Sequence, residues 1–141
     1  MLLPVILIVL CVASLLSLWA SHCPKKLRGG VLMFPALLSF TLFAGPVAGE
    51  LLSGGHPKFS IAWVPQIGVD FSLQVNGVGL LMALLVTGIG SLIMLYASGY
   101  MGDHPQAGRL YAYLYAFMLA MVGLAISDHL IVFFIFWELT S

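Results

Sequence analysis

The chain has 141 residues, of which 62% are hydrophobic and only 7% charged, five basic against five acidic, and its mean hydropathy is +1.12. A soluble domain carries about 25% charged and about 45–50% apolar residues, and a chain this short has too little interior to hide so much apolar surface from water. A soluble globular domain is therefore excluded, as are a disordered chain, which needs low hydrophobicity, and a nucleic-acid binder, which needs a basic stripe; lipid is the solvent that remains.

A membrane span takes about 20 apolar residues. The first such run covers 2–20. It lacks the basic start and the small-residue cleavage site of a signal peptide, so it reads as a retained helix. It ends in a turn of breakers and positive charge, Ser21 to Gly30, with Lys25, Lys26 and Arg28. On one helix Cys11 and Cys23 would stand about 18 Å apart, beyond the about 7 Å that a disulfide allows, so both are expected unpaired. The second run covers 31–52 and contains Pro35 and Pro46, each of which removes a backbone donor. Gly45 and Gly49 have the GxxxG spacing of close helix pairs, weakened by the proline between them. Glu50, near the end of the run, reads as an interfacial carboxylate that reaches water.

From Ser53 to Asn76 the period changes. Phe59, Ile61 and Trp63 alternate with other residues, as do Val69, Phe71, Leu73 and Val75, on either side of Pro65-Gln66-Ile67-Gly68. Period-two patterning around a Pro/Gly turn predicts a β-hairpin over about 58–76. The third span follows over about 77–97, with Ala83, Thr87 and Ser91 forming a small-residue face. The fourth runs over about 109–126, with Ala112, Ala116 and Ala120 in a similar stripe and Tyr111, Tyr113 and Tyr115 placed as an interfacial belt. Asp128 is placed to cap a last helix over 129–141. Basic loops stay cytoplasmic, so Lys25, Lys26, Arg28 and Arg109 put the N-terminus, the hairpin and the Asp128 turn on the extracytoplasmic side. The fold class expected is an all-α integral membrane protein with about four full transmembrane helices, a truncated fifth and a short extracytoplasmic β-hairpin between helices two and three.

Two features point to function. From Leu130 to Ser141 a helix advances only about 18 Å, against a hydrocarbon core of about 30 Å. The sequence is therefore expected to be a fragment, or to be continued by another polypeptide. Along that helix Glu138 lies about 12 Å beyond Leu130, close to the bilayer midplane, after an unbroken apolar stretch ending in Trp137. A carboxylate at that depth costs at least a few kcal/mol on insertion scales unless paired or wetted. Burial favours the neutral acid and a nearby cation favours the anion. A carboxylate poised between the two can exchange a proton. The plainer alternative is a protonated Glu138 that only bonds between helices. Asp128 and His129 are weaker candidates: a surface or capping role for His129, or proton uptake at the membrane surface by the pair. His22, His56 and His104 have no partner at metal-ligand spacing, and no nucleotide, zinc or hydrolase motif is present. No cofactor and no metal are expected.

Several of these residues resemble one stretch of a large membrane family. They are Trp63-Val-Pro65-Gln-Ile-Gly68, Phe71-Ser-Leu73, Asn76-Gly77-Val-Gly79-Leu80, Gly88-Ile-Gly90-Ser-Leu through Tyr96, and Gly99-Tyr100-Met101. The series continues with Phe117-Met118, Met121-Val-Gly123, Ser127-Asp128 and Phe136-Trp137-Glu138-Leu139-Thr140-Ser141. Together they are similar to the N-terminal part of the A-type subunit of the Mrp multisubunit monovalent cation/proton antiporters, relatives of the antiporter-like subunits of respiratory complex I. The resemblance implies that Glu138 belongs to a proton-translocating ion pair completed by lysines on later helices, none of which is in this sequence. It also implies other Mrp subunits and the remainder of the A-type subunit as partners, sodium or another monovalent cation and protons as cargo, and the plasma membrane as location. Two departures are Asn76-Gly77, where the family usually has Asp-Gly, and His129, where it often has Asn; neither touches Glu138. The function expected is that of a transport subunit rather than an enzyme. The alternatives are a proton-pumping subunit of a complex I-like NADH-quinone oxidoreductase and a structural assembly subunit.

Overall fold

The computed structural model describes residues 1–19, 24–102 and 104–141. Its elements are α1 (Leu2–Ser17), α2 (Lys25–Leu42) continuing through a wide π turn (Phe43–Val47) into α3 (Ala48–Leu52), strands β1 (Lys58–Val64) and β2 (Val69–Gln74), then α4 (Gly77–Met101), α5 (Ala107–Ile126) and α6 (Leu130–Thr140). His22, Cys23 and Asp103 lie outside the described residues, so the pairing expected for Cys23 is not addressed; Cys11 is free and exposed.

Among the described residues, three helices are long and apolar enough to cross a membrane: Leu27–Leu52, Gly77–Met101 and Ala107–Ile126. The first run, expected to span as well, is helical over the 16 residues Leu2–Ser17, about 24 Å at 1.5 Å per residue. The second span begins earlier than its apolar run. Lys25 to Gly30, expected as a turn, form the first turns of α2 after Pro24, because Lys, Leu and Arg are good helix formers and Gly29 lies against Ser98 and Leu95 of α4. Pro46 does not break the helix; it sits in the π turn, a widened turn of the kind that absorbs a lost backbone bond. Gly45 and Gly49 face open space, so their GxxxG spacing makes no close helix contact among the described residues.

α1, α2, α4 and α5 close a four-helix ring in which α1 packs on α5 and α2, and α4 on α2 and α5; α6 leans on α5 from outside. The core is Ile6, Leu10, Phe43, Val47, Ala83, Met94, Tyr111, Tyr115, Val122 and Ile126. Thr87 and Ser91 are buried with Ala83 on the small-residue face of α4, Thr87 turning its hydroxyl back to the Ala83 carbonyl at 2.7 Å. The tyrosine belt needs correction. Tyr113 is exposed, but Tyr111 and Tyr115 are fully buried, since a spacing of four residues puts both on the inner face of α5. A phenol in an apolar interior needs a partner: Tyr111 donates to the Ala97 carbonyl of α4 at 3.4 Å, and Tyr115 donates to the Leu32 carbonyl of α2.

The hairpin forms where the alternation predicts it. β1 and β2 are antiparallel with Phe59 opposite Leu73 and Ile61 opposite Phe71. Gly68, at φ 68°, makes the left-handed step that brings the chain into β2. Asn76 then caps α4, its side-chain oxygen accepting from the Gly79 N–H at 2.7 Å.

Candidate functional site

α6 is apolar on every side, but only Val132 and Phe136, four residues apart, are buried. They face α5, where Phe136 lies over Gly123. Glu138 follows Phe136 by two residues, about 200° around the helix, and is exposed at the surface of the chain together with Ile131, Phe134 and Ile135. Among the described residues, the helices therefore give Glu138 an apolar neighbourhood but no cover. Trp137, beside it, stacks on Phe133 with ring centroids 6.2 Å apart.

At the start of α6 the cap is His129 rather than Asp128: its Nδ1 accepts from the Ile131 N–H at 3.2 Å. Asp128 is drawn into the hairpin instead. Its carboxylate pairs with Lys58 Nζ at 2.8 Å, its N–H donates to the Ser72 carbonyl at 3.0 Å, and Ser127 bridges to Leu73. These contacts bring Lys58, Asp128 and His129 to one end of the bundle. Glu138 is not among them; it lies about 12 Å further along α6. Glu50 is exposed, as expected for a carboxylate that reaches water.

Arg28 is the residue whose place sequence patterning misses. Its position in a basic stretch suggests a solvated loop charge, yet it is 5% exposed. Its guanidinium donates to the Gly102 carbonyl and faces the Tyr111 hydroxyl. It ties the start of α2 to the end of α4 and the start of α5. Among the described residues, no three of His, Cys, Asp and Glu stand together to hold a metal ion.

Helices of spanning length, packed side by side around an apolar core, define the class: a multi-pass helical membrane protein. The family model described as NADH-ubiquinone oxidoreductase (complex I), chain 5 N-terminus, matches residues 63–111. The A1 subunit of the Na(+)/H(+) antiporter of Staphylococcus aureus strain JH9 is 34% identical over 117 residues, covering 83% of this chain and 15% of the relative; that of strain Newman matches to the same extent. Among solved structures, the Mrp complex from Dietzia sp. DQ12-45-1b superposes with a TM-score of 0.79 at 26% identity, over 99% of this chain and 15% of that one. Taken together, these similarities support a match to the N-terminal part of the A-type subunit of an Mrp antiporter, while the family model by itself names complex I. It spans 15% of the length of these relatives.

Proposed function

We propose that the chain works within a multisubunit monovalent cation/proton antiporter as a transport component rather than an enzyme, with Glu138 carrying a proton or pairing with the cation pathway. The observation that carries the reading is the position of Glu138. It stands on an exposed apolar face of α6, where whatever covers it, lipid or another helix, must meet its charge. An ionisable group within a membrane span is costly and is by default a candidate for ion or proton movement. The antiporter relatives support the same reading, and with it other subunits of such a complex as partners. Orientation follows from the basic end, placing the hairpin extracytoplasmic.

Asp128 and His129 would take up protons at the surface. With His129 Nδ1 accepting at the cap, Nε2 of the neutral ring already carries its hydrogen, so a proton taken up by His129 goes to Nδ1 and releases the cap.

The test is the whole complex in vesicles with Glu138→Gln. Loss of cation-dependent proton flux is expected; wild-type flux would refute the role of Glu138 and leave it an assembly residue. A second reading, a proton-pumping subunit of a complex I-like oxidoreductase, is favoured by the description of the family model that matches 63–111. Proton flux driven by NADH without added sodium would select it.

A further inference from the structure

The hairpin holds α6 at two levels. At the start of the helix, Asp128 binds Ser72 and Lys58, and Ser127 bridges to Leu73, which is fully buried. Deeper along α6, the Phe136 ring is caught between two other elements. On the α5 side a Cβ on Gly123 would come within 2.3 Å of the ring, so the ring fills the space that a side chain would take. On the hairpin side the ring meets Phe71, with centroids 6.4 Å apart and planes tilted by 58°, within the separations at which aromatic pairs attract.

We propose, building on the Glu138 reading above, that Phe136 is a positioning residue: held between Gly123 of α5 and Phe71 of β2, it fixes the depth and rotation of α6, and so the place of the Glu138 carboxylate. Glu138 is two residues further on the same rigid helix, so a displacement of the ring is passed to it. A misplacement of about 1 Å at a reacting group can cost about 100-fold in rate. The ring contact, rather than the ion pair, is the effective grip: Lys58 and Asp128 are 52% and 32% exposed, and exposed pairs are worth little. The hairpin is thereby coupled to the transport step without touching the carboxylate.

The experiment uses the whole complex in vesicles, with Phe71→Ala and Phe71→Tyr, and reads cation-dependent proton flux against pH. In parallel, Glu138→Cys is placed in a background with Cys11 and Cys23 changed to Ser, and its labelling by a membrane-permeant maleimide is timed with and without Phe71→Ala. Phe71→Ala should lower flux about tenfold, within the range that small misplacements produce, displace the pH profile, and change the labelling rate at position 138. Phe71→Tyr, which keeps the ring, should restore all three. Flux that falls while pH profile and labelling stay unmoved would overturn the proposal. If Glu138→Gln keeps full flux but Phe71→Ala still changes the labelling, positioning stands and the transport role of Glu138 fails.

Discussion

At the scale of single residues, Asn76 acts on its own backbone neighbours: its side-chain oxygen accepts from the Gly79 N–H at 2.7 Å and caps α4, a role not assigned to it from sequence. Asn76→Ala should cost about 1 kcal/mol, whereas Asn76→Asp should be neutral or slightly stabilising, because a carboxylate also favours the positive end of the helix. Thermal unfolding of the purified protein in detergent checks both; equal losses from Ala and Asp would refute the cap. At Asp128, which the sequence places as a cap, a distant element competes for the side chain. Lys58 and Ser72 claim its carboxylate and its N–H, and the cap passes to His129. Nothing local to Ser127-Asp128-His129 reveals that the hairpin will lie there. Arg28 was hidden for the same reason, since its partners Gly102 and Tyr111 are more than seventy residues away.

At the scale of elements, periodicity located the three long spans and the hairpin, but not how closely the helices approach. The GxxxG pair Gly45 and Gly49 faces open space, while the close contacts fall on Gly79, against the Ala125 carbonyl at 2.7 Å from an added Cβ, and Gly108, against the Leu18 carbonyl at 2.6 Å. Spacing says only that a smooth face exists; the partner backbone decides whether it is used. Gly79→Ala and Gly108→Ala meet backbone oxygens that cannot step aside, so overpacking of about 1–3 kcal/mol should outweigh the gain of up to about 1 kcal/mol in helix propensity. At Gly90 the obstacle is the Met118 methyl at 2.3 Å, the end of a flexible side chain, and the loss should be smaller. Gly99 has nothing within 4 Å, so Gly99→Ala should be neutral or stabilising. Unfolding midpoints in that order support the packing; equal midpoints for Gly79→Ala and Gly99→Ala would contradict it.

At the scale of the molecule, orientation is decided by which charges stand at which end. The chain's basic residues are Lys25, Lys26, Arg28, Lys58 and Arg109. Four of these five belong to the α1–α2 and α4–α5 connections or the helix turns beside them. The opposite end carries Glu50, Asp70 and Asp128 with Lys58, and it gathers Met1, Glu50, Pro57 and Lys58 around one small cavity. Sequence alone expected the N-terminus, the hairpin and the Asp128 turn on the same side, and the fold does bring them to one end; burial of Arg28 leaves the asymmetry intact. Positive ends stay cytoplasmic, which predicts where two exposed positions face. With Cys11 and Cys23 changed to Ser, Gln66→Cys in the hairpin turn should react with a membrane-impermeant maleimide in intact cells. Gln106→Cys, before α5, should react only after the membrane is opened. Both positions are exposed, so access to each is set by the membrane or by a covering subunit. The reverse pattern would overturn the orientation, and reaction of both in intact cells would overturn the antiparallel bundle, because the α4 helix between them, Gly77–Met101, advances about 37 Å and must then fail to cross. If the two sites separate as expected, Glu138, about 12 Å along α6 from the hairpin end, stands within the hydrocarbon layer, the depth its proposed role requires.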